Sequence, residues 1–403
     1  MSKLAEPGSH GQDRRAAIVA AAAEVWNAQG ANGFTVAAVA RRVGLHPVSL
    51  SHYFRTRDEL AAECMLESVA RVTAMARESG KAVTPRERVS AYVHAYLQMQ
   101  RRIVEGVEPA LANFGEIRTI DASPNSAVLE AFGEFVREIM ALTVTEANRE
   151  DRRGRLLQAR LLIEFTGWAF AWLDLYEPTE YAAVAERMLD IVFGGLAAPG
   201  QAWPAQASLT LGEACGKRIS RDRLVVAATE MINEHGFNGA SIDAIAASLN
   251  VTKGSFYHHM TDKEELLLAC FEHRFALNRE AIRKSEAMGD GWLRVHAVAT
   301  SLVAYHASAE HGRLLRSQAL AALVGDERDA MLRRYRDMAY RLAVVISAGI
   351  ADGSVRPVDP FIAAALVLST VNASLDLHHW MRDVQSVDLL EEFVRPALTG
   401  LPI

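Results

Sequence analysis

Cysteine is scarce in this chain of 403 residues, which contains only Cys64, Cys215 and Cys270. Three cysteines cannot build a disulfide framework, so the sequence excludes the disulfide-rich secreted class and fits a reducing, cytoplasmic location. Cys64 and Cys270 occupy equivalent positions of a repeat described below. For both of them we expect the ordinary role of a small apolar core residue.

Uninterrupted apolar runs are also missing. The two most apolar stretches, residues 161–176 and 361–377, are broken by Glu164 and Asp174 and by Asn372 and Asp376, respectively. Neither stretch reaches the roughly 20 apolar residues that a membrane span requires. The N-terminal segment has no apolar core after its basic residues and so does not resemble a signal peptide. We therefore expect no membrane partner.

No charge of one sign dominates the chain. Half of the residues are apolar, 23% are charged and the net charge is −6, which is an ordinary globular balance. This excludes a generally basic coat for nucleic acid, but it does not exclude a small module that touches DNA through one face. Any assignment to DNA must therefore rest on motif geometry.

Motifs of common enzymes and metal sites are absent from the sequence. It contains no phosphate-cradling glycine loop, no nucleophile elbow, no HExxH and no CxxC. The pairs His258-His259 and His378-His379 are adjacent in the chain, so on a helix their side chains point about 100° apart and form no chelating face. The sequence predicts no enzyme, no cofactor and no metal site.

The main positive feature is a repeat. Residues 15–64 and 221–270 align without a gap, with 16 identities in 50 pairs and conservative exchanges such as Thr35/Ser241 and Arg57/Lys263. The chain is therefore a tandem duplication. Residues 198–216, which are rich in Ala, Gly and Pro, have the composition of a linker between its halves.

Each repeat has the pattern of a helix-turn-helix. Apolar residues at helical spacing form a first helix that stops at Gly30 or Gly236. Thr35 and Ser241 are then placed to cap a second short helix, because a hydroxyl can accept a bond from the free N–H groups at a helix start. A three-residue turn and another short helix follow, which completes the motif.

Longer helices are predicted beyond each repeat. The predicted fold class is all-α, with two halves that each contain a small helix-turn-helix bundle and a larger helical domain. The predicted long helices are Glu87–Val104, Ser126–Arg149, Arg155–Tyr176, Thr179–Phe193, Trp292–Ala309, Asp329–Ala351, Pro360–Trp380 and Asp388–Leu398. The predicted domains are residues 11–62, 66–197, 217–268 and 272–403, with the linker at 198–216.

The second repeat carries a family resemblance. Its step GFNGAS at residues 236–241 and its segment NVTKGSFYHHMTDKEEL at 250–266 resemble the DNA-binding domain of the tetracycline-repressor-like (TetR) family of bacterial regulators. The resemblance implies that the C-terminal helices of each half form a ligand-binding domain, and that some of them build a four-helix bundle with a partner. Here the partner is the other half of the same chain, so we predict an intrachain pseudo-dimer. A further homodimer of two chains stays open.

The resemblance places a set of residues of the second repeat at DNA. Lys253 supplies charge, Gly254 allows a close backbone approach, and Tyr257 can donate to a phosphate. Phe256 and Met260 point into the bundle instead. The candidate contacts are Thr252, Lys253, Gly254, Ser255, Tyr257, His258 and Lys263.

The first repeat departs from that pattern at the recognition helix. His46, Pro47, Val48 and Ser51 stand where the second repeat has Thr252, Lys253, Gly254 and Tyr257. Pro suits a first helical position, and Val48 can meet a thymine methyl group. Two readings stay open: this module reads a different half-site, or it no longer reads DNA. Its candidate contacts are Thr35, Ser49, Ser51, His52, Tyr53 and Arg57.

The expected function is a transcriptional regulator, following the family's usual behaviour as a repressor. Its partners are a double-stranded DNA operator with unlike half-sites and a small-molecule effector of mostly apolar character. The alternative is a ligand-binding or protein-interaction scaffold in which one or both modules have degenerated. The candidate effector contacts are Tyr92, Tyr96, Asn113, Trp168, Trp172, His296, Tyr305 and Asn372.

Overall fold

A computed structural model describes residues 9–117, 127–205, 209–212, 220–308, 313–381 and 388–403. Cys215 and the histidine side chains of the pair at 378–379 lie outside this description. The first half contains α1 (Ser9–Gly33), α2 (Val36–Arg42), α3 (Pro47–Leu50), α4 (Arg57–Ser79), α5 (Pro85–Val104), α6 (Ala127–Leu142), α7 (Arg152–Gly167) and α8 (Tyr181–Gly194).

The second half follows the same order. It contains α9 (Arg221–Gly239), α10 (Ile242–Ser248), α11 (Lys253–Tyr257), α12 (Lys263–Ser285), α13 (Gly291–Ala307), α14 (Gly325–Asp352), α15 (Pro360–Ser374), α16 (Leu377–Trp380) and α17 (Arg395–Thr399), with a π-helical turn at Leu389–Val394 before the last. The only extended pairing in the described residues is a single bridge between Ala197 and Val355. The predicted all-α fold is confirmed. Of the helices described, none has both the length and the apolar character that crossing a bilayer demands.

Three long helices end earlier than their sequence patterns suggest. The helix predicted over Pro360–Trp380 ends at Ser374, and a separate helical turn follows at Leu377–Trp380. The helix predicted to run to Tyr176 ends at Gly167, and the chain continues through 3-10 turns at Ala169–Ala171 and Leu173–Leu175. The helix predicted to reach Arg149 ends at Leu142. There, Thr145 and Asn148 accept each other's backbone N–H at 3.0 and 2.8 Å, which closes a turn that competes with the helix.

The duplicated modules fold alike because their local signals are shared. The hydroxyls of Thr35 and Ser241 accept the N–H of the third residue onward at 3.0 and 3.1 Å, so both cap a second helix as predicted. The following turn needs a left-handed residue, and Gly44 (φ 68°) and Asn250 (φ 55°) supply it. Cys270 and its counterpart in α4 are buried, and burial raises the pKa of both thiols to about 12.

The two halves pack through a four-helix bundle within one chain. Helices α7 and α8 of the first half pack against α15 and the C-terminal segment 389–399 of the second. Reciprocal backbone bonds join the ends of these helices: the N–H of Leu196 donates to Leu398 at 2.7 Å, and the N–H of Leu401 donates to Val192 at 2.8 Å. This exchange is what a two-fold arrangement produces, so the halves form an intrachain pseudo-dimer.

The described part of the linker is packed rather than free. Trp203 donates its indole N–H to Glu391 at 2.7 Å and stands edge-on to the ring of His296 at 4.3 Å. The indole of Trp292 donates to Ala202 at 3.0 Å. The linker therefore fastens to the second half through an aromatic cluster, whose His296 is 3% exposed.

His296 makes stability depend on pH. Burial lowers its pKa to about 4, although the nearby carboxylate of Glu391 acts in the opposite direction. Below about pH 6.5 this histidine is therefore protonated in the unfolded chain but stays neutral in the folded chain. As the pH falls from about 6.5 to about 4, the free energy of unfolding decreases. We expect His296→Phe to remove on the order of 3 kcal/mol of this acid-induced loss. Urea midpoints measured across that pH range check it.

The control for this measurement is His235→Phe, which removes a histidine from an exposed position. It should leave the pH profile of the natural chain in place. A His296→Phe profile that coincides with that of the natural chain would show that His296 does not cause the acid sensitivity.

Candidate nucleic-acid interface and internal cavity

The inward faces of both recognition helices are fixed by buried side chains. Phe256 and Met260 are 0% and 2% exposed in the second module, and Leu50 and Phe54 are 0% and 1% exposed in the first. Burying these side chains orients α3 and α11, because each short helix has one apolar side that must leave water. The remaining side chains of both helices point outward.

The outward face of α11 carries the candidate contacts of the second module. Thr252 accepts the N–H of Ser255 at 3.3 Å and so caps the helix. Lys253 lies 3.1 Å from the carboxylate of Asp243, which raises the pKa of this lysine and keeps it charged. Tyr257 is 50% exposed, and Gly254 and His258 are also exposed. One face therefore presents a cation, an aromatic hydroxyl and an open stretch of backbone.

The outward face of α3 is chemically different. The ring of His46 accepts the N–H of Val48 at 3.4 Å, so His46 caps the helix where Thr252 does so in the second module. Val48 is 63% exposed, and the hydroxyl of Ser51 donates to its carbonyl at 2.6 Å. Ser49 and His52 are exposed and Tyr53 is half-buried. This face carries both polar and apolar side chains, and it has no lysine at the position of Lys253.

Arg57 and Lys263 have a structural role that the sequence did not reveal. The guanidinium of Arg57 donates to the carbonyl of Phe34 at 2.8 Å and to that of Ala31, and it pairs with Asp58. The ammonium of Lys263 lies 4.2 Å from the ring centre of Phe237, and desolvation lowers the pKa of this lysine. Both cations tie the start of the fourth helix to the end of the first. The phosphate contact predicted for them stays a prediction.

A cavity of about 250 Å³ lies in the first half, against the second. Its walls include Tyr92 and Tyr96 of α5, Phe132 and Phe135 of α6, and Trp168. Further parts of its wall come from the second half: residues 316–318, 320 and 321, together with Asp376 and Trp380. The space is therefore formed by both halves of the chain.

Four of the eight candidate effector contacts line this cavity: Tyr92, Tyr96, Asn113 and Trp168. The other four lie elsewhere. Trp172 packs edge-on to Phe361, the hydroxyl of Tyr305 is 3.2 Å from His273, His296 belongs to the linker cluster, and Asn372 lies behind the wall.

Buried charges form part of the cavity wall. Arg160 and Glu164 of α7 line the cavity with Arg316 and Asp376 of the second half. Asp376 pairs with Arg316, and the amide of Asn372 donates to Glu164. Burial raises the pKa of Glu164, although the neighbouring Arg160 acts against that rise. The sequence did not predict this network. Its two acids, Glu164 and Asp376, stood out in the sequence only because they interrupt the apolar runs.

One asparagine of each helix-turn-helix module makes hydrogen bonds to the cavity wall. Asn27 of α1 donates to Leu111 at 2.6 Å and accepts the N–H of Asn113 at 2.8 Å. Asn233 of α9 repeats the pattern, donating to Leu314 at 2.9 Å and accepting the N–H of Arg316 at 3.0 Å. Asn113 and Arg316 both line the cavity. The two modules are therefore held by equivalent contacts to residues that line one cavity.

A single turn of chain contacts both modules. The 3-10 segment Ser317–Ala322 packs against α1, against α9 and against the turn Phe114–Glu116. Its contact with α1 is close: a Cβ placed on Gly30 would stand 1.4 Å from the carbonyl oxygen of Ala321. A movement of this segment would therefore displace contacts with both modules.

Both modules match a known family. The family model described as bacterial regulatory proteins, tetR family, matches residues 18–64 and again residues 224–270. The two matches fall on the repeats identified from the sequence, so the predicted resemblance is confirmed at both places. They cover the helix-turn-helix bundles and not the larger helical domains.

Curated relatives match parts of the chain. The Transposon Tn10 TetC protein of Escherichia coli is 33% identical over 75 residues, which cover 19% of this chain and 38% of that protein. The HTH-type transcriptional repressor AcnR of Corynebacterium diphtheriae is 28% identical over 135 residues, covering 30% of this chain and 70% of that protein. The HTH-type transcriptional regulator BetI of Rhizobium meliloti is 33% identical over 104 residues, covering 26% and 51%.

Among solved structures, apo AibR is 22% identical to this chain, with a TM-score of 0.37. The superposition covers 44% of this chain and 96% of that one.

Proposed function

We propose that this chain, a tandem member of the tetR family of bacterial regulatory proteins, is a DNA-binding transcriptional repressor whose two modules read one operator. The observation that carries the proposal is the pair of exposed recognition helices, α3 and α11, each oriented by buried apolar side chains. Such helices enter the major groove with their first residues against base edges. As a repressor, the chain would act in the cytoplasm.

The operator follows from the difference between the two helices. A symmetric dimer presents the same side chains twice and so reads a pseudo-palindrome. Here α11 presents Lys253 and Tyr257, whereas α3 presents Val48 and Ser51 at neighbouring positions. Lysine suits guanine or phosphate, and an apolar branched side chain suits a thymine methyl group. The half-sites of the operator therefore differ.

Release by a small molecule is the second part of the proposal. The cavity is walled by residues that also hold α1 and α9 in place, so its occupancy can change the relative position of the modules. An effector weakens DNA binding only if it binds the DNA-incompetent state more tightly. By linkage, operator DNA must then weaken effector binding by the same factor.

Selection of bound sequences from random duplex DNA with the purified chain tests the proposal. We expect enrichment of a two-part motif whose halves differ, with a centre-to-centre spacing of about one helical turn or a multiple of it. A symmetric motif would contradict the unlike half-sites. The absence of any enriched motif would leave the scaffold function as the better account.

Lys253→Ala tests the charge on the face of α11. We expect weaker operator binding and a salt dependence whose logarithmic slope falls by about one unit, because one phosphate contact is lost. Anisotropy titrations of labelled operator at several salt concentrations measure both quantities.

The matched control is Lys81→Ala. Lys81 is also exposed and also paired with one acid, Glu78 at 2.6 Å, but it lies after α4, outside both modules. It should change neither affinity nor slope. Equal salt slopes for Lys253→Ala and the natural chain would show that Lys253 makes no phosphate contact.

A further inference from the structure

We propose that the chain has one effector site, lined by both halves, and that this site takes an amphipathic monoanion, a carboxylate with an apolar body. The inference rests on the proposed function, because a bound ligand is an effector only if the chain is a regulator. The binding of the ligand itself can be tested without DNA. Three observations carry it: the cores of the two halves differ at equivalent positions, the wall holds partnerless polar atoms, and Arg160 offers an anion a buried N–H.

The first observation concerns the fourth helices. Helices α4 and α12 have the same length and stay in the register of the repeat to their ends. Along them Met65, Ser68, Val69 and Val72 of the first half correspond to Phe271, Arg274, Phe275 and Asn278 of the second. At each of these positions the second half carries the larger or more polar side chain.

These larger side chains occupy the core of the second half. The rings of Phe271, Phe275 and Tyr335 are buried against one another, with centres 5.2 to 6.4 Å apart. Arg274 stands over the Tyr335 ring and donates to Asn372 at 3.2 Å. In the first half the smaller Val72 lines the cavity instead. At these equivalent positions the second half is filled by large side chains, whereas the first half borders the cavity.

The second observation is a set of polar atoms without a partner. Among the described residues, no hydrogen-bond partner is present for Nε of Arg160, Oγ of Ser317 or Oε1 of Gln318, and all three residues line the cavity. Arg160 is 3% exposed and Ser317 is 1% exposed. A buried polar group without a partner is costly, so these atoms are suited to a polar ligand group.

The third observation is the charge around Arg160. Its Nη2 lies 3.5 Å from Glu164 and 3.9 Å from Asp376, which is longer than a charge-assisted hydrogen bond. Asp376 is held by Arg316 instead. The buried Nε of Arg160 has no hydrogen-bond partner among the described residues and is therefore available to a ligand. A ligand carboxylate can accept this N–H, whereas a ligand cation would be repelled by the guanidinium.

The apolar body of the ligand follows from the rest of the wall. Phe132 and Phe135 are buried beside Trp168 and Trp380, and the ring of Trp380 also stacks under the guanidinium of Arg160 at 4.7 Å. A ligand head at Arg160 therefore has aromatic surface directly next to it. Ser317 and Gln318 belong to the turn that touches both α1 and α9, so one bound molecule contacts the element shared by the two modules.

Calorimetry and thermal unfolding of the full chain test this with matched probes. Each carboxylate is compared with its alcohol and its amine: octanoate with octanol and octylamine, 3-phenylpropionate with its two counterparts, and indole-3-acetate with tryptophol and tryptamine. We expect at least one carboxylate to bind with one molecule per chain, about tenfold or more tighter than both counterparts, as a hydrogen-bonded charge allows. Equal binding of the alcohols or amines, no binding of any carboxylate, or two molecules per chain would overturn the proposal.

Variants then locate the headgroup. Arg160→Met should abolish the preference for the carboxylate, and Ser317→Ala, which breaks no protein side-chain bond of that hydroxyl, should reduce it severalfold while the fold is kept. Arg153→Met is the control: this arginine also lies on α7 and pairs with Glu392 across the halves, but it is outside the cavity. A preference that survives both cavity variants would refute the assignment.

The outcome for DNA is separate from the outcome for the ligand. If a carboxylate binds as expected but the chain enriches no DNA sequence, the repressor proposal fails and the ligand site stands. If DNA is bound and no carboxylate is, the repressor proposal stands and the ligand class is wrong.

Discussion

A chain with one recognition helix disabled is expected to bind its operator about 10²- to 10⁴-fold more weakly than the intact chain. When two modules are joined in one chain, binding of the first holds the second at a high effective concentration near its own half-site. A chain with only one working module loses this gain in affinity entirely. Lys253→Ala/Tyr257→Ala disables α11, and Ser49→Ala/His52→Ala disables α3. We expect each double variant to lose affinity by an amount in this range in anisotropy titrations at one fixed salt concentration.

The comparison between the two double variants is decisive for the first module. The exchanged side chains are exposed or partly exposed, and the buried residues that orient each helix stay unchanged, so circular dichroism should report an intact fold. Lys81→Ala/Val83→Ala, which alters two exposed residues between α4 and α5, serves as the surface control. If the change on α3 leaves affinity unaltered, the first module does not read DNA and the degenerate-module alternative is favoured.

Gly30→Ala is expected to lower the free energy of unfolding by more than about 3 kcal/mol. Gly30 has φ 60° and ψ −177°, a conformation that only glycine adopts readily and that alone costs other residues about 1–3 kcal/mol. The added Cβ would also meet the backbone carbonyl of Ala321, which is not a flexible side chain and cannot swing away. Urea unfolding followed by circular dichroism measures the loss.

The control is another glycine of the same module with positive φ. Gly44 (φ 68°) has open space around its Cβ position within the part of the chain that the structure describes, and Asn250 occupies the equivalent turn of the second module. Gly44→Asn should therefore change stability by less than about 1 kcal/mol. Equal midpoints for Gly30→Ala and Gly44→Asn would show that α1 does not approach Ala321 closely.

Prediction from the sequence succeeded where the signal was local. The gapless repeat located both modules, the two hydroxyl caps start the second helices, and the family match at 18–64 and 224–270 coincides with the repeat. It was wrong at three helix ends, because an apolar run does not show where a turn will compete with the helix. Of the candidate effector contacts, the sequence placed Tyr92 and Tyr96 at a cavity and put Tyr305 with them, although Tyr305 lies elsewhere.

The duplication, the all-α class, the two helix-turn-helix modules and the chemical difference between α3 and α11 were all determined by the sequence alone, because each depends on residues a few positions apart. Only the tertiary structure decided that Val72 borders a cavity and that Asn278 at the equivalent position of the second half does not line it, since the two residues differ in a way that matters only once α4 and α12 are packed. It also decided that Arg160 and Ser317 meet in one wall, although they lie in different halves of the chain. Packing brings such residues together through the summed burial of many apolar side chains, and no short stretch of sequence encodes that sum.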